Sequence, residues 1–415
     1  MKNKTTTPLD RREFLKVAGQ STAAMALLAG CLPSSSESET SSNVPPIVGG
    51  VDSDSTSPEE ETTSTISLDV KIGQMLLVGF RGLEVRNHDA PIVQDIRDHH
   101  IGGVLLFDYD VAQRRPVRNI QSPEQVRKLV IALQAYSEIP LLVGIDYEGG
   151  IISRLPKKYG FPATVSHQYL GRKNNLALTR QYATRMAQTL AELGINLNFA
   201  PVVDVNTNPN NPIIAKKKRS FSANPEIVAK QALEYIRAHR SQNVLCTLKH
   251  FPGHGSSRAD SHLGMADVTN TWSDIELIPY REIIEAGEAD AIMTAHVFNK
   301  KLDPKYPATL SKQTITGLLR DQLGFKGIVF SDDMQMRAIA NHYGLETAVR
   351  KAIEAGVDIL VIGNNTGYFV PDIVAQVTTI IKRLVKKGTI SPARIDDSYQ
   401  RILRLKRKVM NLNAN

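Results

Sequence analysis

A short segment in the second half of the chain carries the side chains best suited to chemistry. It runs from Lys249 to Gly255 with the sequence Lys-His-Phe-Pro-Gly-His-Gly, and Asp260 and His262 follow it. The apolar residues 244–248 predict a buried strand that ends on the lysine and the histidine. Pro and Gly then predict a sharp loop that brings Asp260 and His262 back towards that end. Charged groups are costly to bury at such a place unless they are used, which indicates a functional site.

Polar side chains also stand at the ends of four other predicted strands. They are Asp146 with Glu148, Asp204, His296, and Asp332 with Asp333. One such residue would be an ordinary solvated strand end or a capped turn. Five strand ends of this kind on one rim are typical of an enzyme that binds a polar substrate.

These strand ends belong to a regular alternation of apolar runs and amphipathic segments. The predicted strands are 72–80, 101–107, 141–146, 196–205, 244–250, 289–297, 327–332 and 357–363, and helices are predicted at 176–193, 225–240, 347–354 and 391–410. Eight such units predict an α/β fold of the (β/α)8 TIM-barrel type, as a single catalytic domain over 67–415. A doubly wound open sheet is the alternative. It has little support as a dinucleotide fold because no Gly-x-Gly-x-x-Gly follows the first strand.

The first 31 residues predict an export signal followed by a lipidation site. Arg11-Arg12 precedes the apolar stretch 23–29, an arrangement that resembles a twin-arginine export signal. Residues 28–31, Leu-Ala-Gly-Cys, resemble a bacterial lipobox, in which the cysteine is acylated and becomes the mature N-terminus. We therefore expect an exported protein, anchored through Cys31 to a bacterial membrane in the periplasm or at the cell surface. The only other cysteine, Cys246, falls in a predicted buried strand, so no disulfide is expected.

Residues 32–66 predict a disordered acidic linker rich in Ser, Thr, Glu and Pro. This segment has seven acidic residues and no Lys or Arg, whereas residues 1–31 carry five basic and two acidic ones. Since the whole chain has a formal charge of +8, residues 67–415 carry +12. A basic body predicts attraction to anionic lipid headgroups or cell-wall polymers. No interleaving of basic and aromatic residues supports a nucleic-acid partner.

Two reaction classes fit a rim of carboxylates, histidines, a lysine and an arginine. In glycosyl transfer, one carboxylate attacks the sugar and a second group handles the proton of the leaving group. In metal-assisted hydrolysis, the ligands would be His250, His254, Asp260 and His262. The metal alternative is weaker because the Lys249 ammonium would repel a cation beside it, and because the first strand has no His-x-His. We therefore expect neither a metal nor another cofactor.

The same residues resemble glycoside hydrolase family 3, in its β-N-acetylhexosaminidase branch. The likeness rests on 249–255 with the following Asp-Ser-His, on 144–146 and 148–150 with Arg154, on 219–221, and on 331–334. It extends from about Leu68 to the C-terminus.

This resemblance implies a retaining mechanism with Asp332 as the nucleophile. His262 would be the acid/base, and Asp260 would orient it and make it more basic. A neutral imidazole avoids repulsion with the anionic nucleophile, and a carboxylate stabilises the imidazolium that forms. By the same resemblance the sugar-binding residues are Asp146, Arg154, Arg219, Lys249 and His250, with Met334 in the pocket wall.

The function implied by the family is exo-β-N-acetylglucosaminidase activity on chitin oligosaccharides or cell-wall fragments such as muropeptides, by a monomer. A β-glycoside phosphorylase and a β-glucosidase are the alternatives within the family, and a glycan-binding lipoprotein is the non-enzymatic one. We expect no second α/β domain of the kind that supplies a Glu acid/base in the family's β-glucosidases, and this expectation favours His262.

Two departures from the family pattern concern the sugar pocket. Tyr147 stands where the family usually has Gln, and residues 151–153, Ile-Ile-Ser, replace an Arg-Val-Gln-like run. Neither changes a predicted binding residue, but both are expected to reshape the pocket.

Overall fold

Eight parallel strands form the centre of the computed structural model, which describes residues 66–261 and 264–412. They are β1 (Leu76–Gly79), β2 (Gly103–Leu106), β3 (Leu142–Ile145), β4 (Leu197–Asn198), β5 (Leu245–Phe251), β6 (Ala291–Thr294), β7 (Ile328–Phe330) and β8 (Leu360–Ile362). Neighbours pair in the order β7-β6-β5-β4-β3-β2-β1-β8. A parallel bridge between Phe330 and Ile359 joins the two outer strands, so the sheet closes on itself. The predicted (β/α)8 TIM-type barrel is confirmed.

Each strand is followed along the chain by at least one helix. The helices are α1 (Leu68–Gln74), α2 (Pro91–Asp98), α3 (Pro123–Ala135), α4 (His167–Lys173), α5 (Leu176–Glu192), α6 (Pro225–Arg240), α7 (Ile278–Glu285), α8 (Gln313–Gln322, with π-type hydrogen bonds), α9 (Arg337–Tyr343), α10 (Leu345–Ala355), α11 (Ile373–Lys386) and α12 (Pro392–Leu412). The buried faces of these helices and the strands share one continuous apolar core. Within the described ranges, no helix is both long and apolar enough to cross a membrane.

Local capping explains why the helix boundaries were predictable. The prediction 225–240 matches α6, where the Asn224 side chain accepts hydrogen bonds from the amides of Glu226 and Ile227 at 2.9 and 3.1 Å. Pro225 occupies the first position, where a missing N–H costs nothing. These caps satisfy amide groups that the helix leaves open, so they mark its start in the sequence.

The predicted strand 72–80 divides into α1 and β1. Ser67 caps the helix by accepting a hydrogen bond from the Val70 amide at 3.3 Å. Residues 72–79 are buried throughout. An apolar run of this length is compatible with a buried helix or a buried strand, and hydrophobic periodicity alone does not separate them.

The predicted strand 196–205 is regular only over β4. Beyond it the chain stays beside β5, where the Val203 amide donates to the Lys249 carbonyl at 2.9 Å. Pro201 has no N–H group, so a regular ladder cannot continue through it. The segment remains buried and delivers Asp204 to the rim.

Candidate active site

A cavity of about 740 Å³ opens at the carboxyl ends of the barrel strands. This is the end at which barrels of this type place their chemistry. Six of the predicted site residues line the cavity, namely Asp146, Arg154, Arg219, Lys249, His250 and Asp332.

Lys249 is buried between two carboxylates. Its Nζ lies 2.7 Å from Asp146 Oδ1 and 2.8 Å from Glu148 Oε1. Burial opposes the ammonium form, but the two carboxylates outweigh it and raise the pKa of Lys249. Burial likewise opposes ionisation of Asp146, and the cations Lys249 and Arg154 reverse this effect and lower its pKa. Lys249 therefore stays charged and keeps Asp146 an anion.

Glu148 connects Lys249 to Arg219. Arg219 donates two hydrogen bonds to the Glu148 carboxylate, from Nε at 2.8 Å and from Nη2 at 2.7 Å. Burial opposes ionisation of Glu148, but Arg219 and Lys249 hold its pKa far below its usual range. The predicted site residues did not include Glu148, although the sequence placed it at the end of a strand and in the segment 148–150 that resembles the family.

His250 joins Arg219 to Asp204. Its Nε2 lies 3.2 Å from Arg219 Nη2, and its Nδ1 lies 2.8 Å from Asp204 Oδ2. A guanidinium can only donate, so Nε2 accepts and Nδ1 carries the hydrogen that is donated to Asp204. Burial opposes ionisation of Asp204, but His250 and His254 lower its pKa. These two contacts thus fix the orientation of the His250 ring.

We call the six groups Asp146, Lys249, Glu148, Arg219, His250 and Asp204 the rim network. Three carboxylates face the cations Lys249 and Arg219 and the imidazole of His250, so their charges nearly balance. A network satisfied in this way has fixed donors and acceptors and little excess charge. It suits an uncharged ligand with several hydroxyl groups better than it suits a strong anion.

Arg154 is held more loosely than the rim network. Its Nη2 lies 3.8 Å from Asp146 Oδ2, and its Nη1 lies 3.6 Å from Asp108 Oδ1. Its Nε is buried without a hydrogen-bond partner among the described residues. Arg154 can therefore donate to a ligand without giving up a tight ion pair.

Asp332 and Asp333 both follow β7 but have different surroundings. Asp333 Oδ1 accepts from the amides of Gln335 at 3.1 Å and Gly363 at 3.0 Å, which ties the turn to the end of β8. Asp332 Oδ1 accepts from the Asp333 amide at 2.8 Å, and both side chains line the cavity. Asp333 thus links the end of β7 to the end of β8, and the assignment of Asp332 as the nucleophile stays a prediction.

His296 and Asp204 are the other rim groups that could carry a proton. His296 Nδ1 lies 2.9 Å from Thr309 Oγ1, and its Nε2 lies 2.9 Å from the Asp333 carbonyl, to which it must donate. Asp204 is fully buried and accepts from His250 and from the His254 amide. The hydrogen bonds of His296 and Asp204 therefore hold other parts of the protein in place.

Met334 and Tyr147 were both expected to shape the wall of the sugar pocket. Met334 is buried, and its neighbours Gln335 and Met336 line the cavity. Tyr147 is fully buried in the core, so this departure from the family pattern does not reach the wall, whereas Ile152 does.

The loop after β5 carries the predicted acid/base pair. Asp260 lies in the described part of this loop, whereas His262 lies outside the described residues. The intervening Ser261 has its Oγ 3.1 Å from His254 Nε2, so the segment next to His262 is tied to the start of the loop. Cys31, the signal 1–31 and nearly all of the linker 32–66 also lie outside the described residues. These roles and segments stay predictions.

A metal site would need several suitable ligands close together. Residues 66–261 and 264–412 contain no group of three or more His, Cys, Asp or Glu side chains arranged to hold an ion. His250 and His254 instead contact Asp204 through a ring nitrogen and a backbone amide, respectively.

Comparison with known proteins decides the family. Residues 67–405 match the model of the glycosyl hydrolase family 3 N terminal domain. The chain belongs to this family. It is 36% identical over 293 residues to a β-hexosaminidase of Tolumonas auensis, a match that covers 70% of this chain and 83% of that protein.

Two longer proteins are also similar to this family 3 chain. β-Hexosaminidase A of Pseudoalteromonas piscicida is 37% identical over 285 residues, which cover 64% of this chain but only 46% of that protein. A family 3 β-N-acetylglucosaminidase from Paenibacillus sp. str. FPU-7 superposes with a TM-score of 0.76 at 36% identity, covering 85% of this chain and 64% of that one. The chain thus spans less than two thirds of the length of both relatives.

Proposed function

We propose that this protein is an exo-acting β-N-acetylglucosaminidase that retains the anomeric configuration. One observation carries the proposal: five of the six groups of the rim network line the same cavity as the carboxylate of Asp332, and the sixth, Asp204, supports them from behind through His250. The network suits a neutral polyhydroxy ligand, and the carboxylate supplies a nucleophile opposite it. The similar proteins named β-hexosaminidase and β-N-acetylglucosaminidase indicate the sugar.

In the first step, Asp332 attacks the anomeric carbon of a terminal N-acetylglucosamine and the glycosidic C–O bond breaks. His262 gives its proton to the leaving oxygen, and Asp260 stabilises its ring. In the second step, His262 takes a proton from water, the water oxygen attacks the same carbon, and Asp332 leaves. Asp146, Lys249 and the other predicted binding residues hold the sugar hydroxyls in place.

The proposed substrates are cell-wall fragments, muropeptides and chitin oligosaccharides outside the cytoplasm. An exported monomer anchored through Cys31 would meet these substrates. The basic character of residues 67–415 supports this setting, because cell-wall polymers and lipid headgroups are often anionic.

A panel of nitrophenyl β-glycosides tests the proposal. The N-acetylglucosaminide should be cleaved much faster than the glucoside, and NMR should detect the β-anomer of N-acetylglucosamine first. Each assay is repeated with inorganic phosphate. A sugar 1-phosphate as the main product would make the protein a phosphorylase, and binding without turnover would make it a glycan-binding lipoprotein.

A further inference from the structure

Glu276 is a fully buried carboxyl group directly against the loop that follows β5. It belongs to the short 3₁₀ turn Asp274–Leu277, which precedes α7. Its Oε2 accepts a hydrogen bond from the Gly255 amide at 2.9 Å. Gly253 has φ +122°, and a Cβ at that position would lie 2.6 Å from both Cβ and Oε2 of Glu276. The loop backbone therefore packs on this carboxyl with no room for a side chain between them.

The same part of the loop has two further attachments. Trp272 Nε1 donates to the Pro252 carbonyl at 3.0 Å, and the His254 amide donates to Asp204 Oδ1 at 2.8 Å. The imidazole of His254 then reaches Ser261, the residue between Asp260 and His262. Through His254 and Ser261, residues 252–255 are thus connected to the segment that carries the predicted acid/base pair.

We propose that Glu276, in its neutral protonated form, is a positioning residue that sets the path of residues 252–257 and thereby places Asp260 and His262. The inference rests on the proposed function, because it assigns Glu276 to the loop on which the acid/base depends. Glu276 does not line the cavity and is not expected to touch the substrate.

The surroundings of Glu276 favour the neutral form. Its Oε1 is buried without a hydrogen-bond partner among the described residues, and the carboxylate of Asp204 acts on it as a like charge. Burial, opposed in part by Ser256 and by the Gly255 amide and reinforced by Asp204, raises the pKa of Glu276 to about 8. Ionisation would place a second buried anion next to Asp204 and strain the contact with the loop.

The other titratable groups that face this carboxyl do not change charge near pH 8. The pKa of Asp204 is lowered, that of His254 is lowered to about 4 by burial, and that of Tyr280 lies well above its usual value because of burial. Of these four groups, Glu276 is therefore the one expected to change charge between pH 7 and 9.

The experiment compares the wild type with Glu276→Gln and with the control Asp274→Asn, which removes an exposed carboxylate from the same turn. In the wild type, kcat/KM should fall towards tenfold per pH unit above pH 8 as the neutral fraction declines. Glu276→Gln keeps the acceptor for the Gly255 amide and cannot ionise. It should retain most activity at pH 7 and lose the alkaline decline, whereas Asp274→Asn should follow the wild type.

The leaving group distinguishes positioning from a purely structural role. If alkaline pH displaces the acid/base, the decline should be steep for a natural disaccharide and shallow for glycosyl-enzyme formation from a dinitrophenyl glycoside. An equal decline for both substrates, or an alkaline decline that persists in Glu276→Gln, would overturn the proposal. Deprotonation of the predicted acid His262 would give the same contrast in the wild type, so the loss of the decline in Glu276→Gln is the result that assigns it to Glu276.

The pH dependence of Tm tests the neutral state of Glu276 without relying on glycosidase activity. A raised pKa means that the folded protein binds the proton more tightly, so wild-type stability should decrease between about pH 4.5 and 8 through this group. The difference in Tm between Glu276→Gln and the wild type should therefore increase across this range. A constant difference would refute the neutral state, whereas an increasing difference without glycosidase activity would refute only the proposed function.

Discussion

At the scale of single residues, two neighbouring aspartates line the cavity but differ in their hydrogen bonds. Asp333 accepts from the amides of Gln335 and Gly363, whereas Asp332 accepts from the Asp333 amide and is the predicted nucleophile. Asp332→Ala should lower kcat on the order of 10⁴-fold or more with little change in Tm, because it removes the covalent route but little of the core. Steady-state kinetics and a thermal melt measure this.

Asp333→Ala is the matched comparison. It leaves two amides without their acceptor and should lower the free energy of unfolding by about 1–3 kcal/mol while retaining measurable turnover. If Asp333→Ala were stable but inactive while Asp332→Ala kept its activity, Asp333 would be the nucleophile and Asp332 the structural residue.

His262 carries the sharpest prediction at this scale, because an imidazole is an unusual acid/base for a glycosidase. A poor leaving group needs the proton, whereas dinitrophenolate leaves almost without it. His262→Ala should therefore slow natural substrates on the order of 10²–10⁴-fold and leave glycosyl-enzyme formation from dinitrophenyl substrates nearly intact. Azide should then restore turnover by attacking the intermediate without a base.

Asp260→Ala should give a milder form of the same profile, because the imidazole remains but is less basic. Equal losses on activated and natural substrates, together with no effect of azide, would make His262 a binding or structural residue.

At the scale of elements, the rim network fastens three segments of the barrel end to one another. Glu148 follows β3, Arg219 precedes α6, and Lys249 belongs to β5. Glu148→Gln removes the carboxylate that Arg219 and Lys249 share, so one negative charge next to these two buried cations is lost. It should lower the free energy of unfolding by about 3–5 kcal/mol, measured by urea denaturation at pH 7, whereas Glu192→Gln at an exposed helix end should be neutral.

The pH dependence of this pair has a definite sign. The folded-state pKa of Glu148 is lowered, so its contribution to stability is complete above about pH 4.5 and is lost as the pH falls below that value. Thermal melts should therefore show the wild type and Glu148→Gln approaching each other in acid. A gap in Tm that stays constant from pH 7 to pH 3 would contradict the ion-pair explanation.

At the scale of the whole molecule, the predicted lipid on Cys31 should decide where the protein resides. Cys31→Ala should move the protein from the membrane fraction to the soluble fraction, because the acyl chains supply the buried hydrocarbon. Fractionation and immunoblotting of cells that express each form measure this.

The basic body requires a control for electrostatic adsorption. A wash at high ionic strength should not release the wild type, whereas it should release any Cys31→Ala protein that adheres through its charge. Membrane recovery of Cys31→Ala that resists the wash would contradict lipid anchoring.

The sequence alone was sufficient for the features that depend on local chemistry. The eight apolar runs predicted the barrel, and the helical period of 225–240 predicted α6, because burial patterns repeat over a few residues. The strand ends at Asp146 and Lys249 also predicted the rim, because parallel strands align their carboxyl ends.

Only the tertiary structure decided which groups pair across the barrel. Arg219 and Lys249 were predicted to bind sugar, yet Glu148, which was placed on the rim but given no role, is the carboxylate that holds both. Glu276 had no distinguishing sequence signal, since its burial against Gly253 exists only after the chain has brought the two together. The length of β4 likewise depends on its pairing with β3 and β5, which leaves only Leu197–Asn198 of the predicted strand 196–205 regular. Contacts between residues far apart in the chain follow from barrel closure, and no local pattern encodes them.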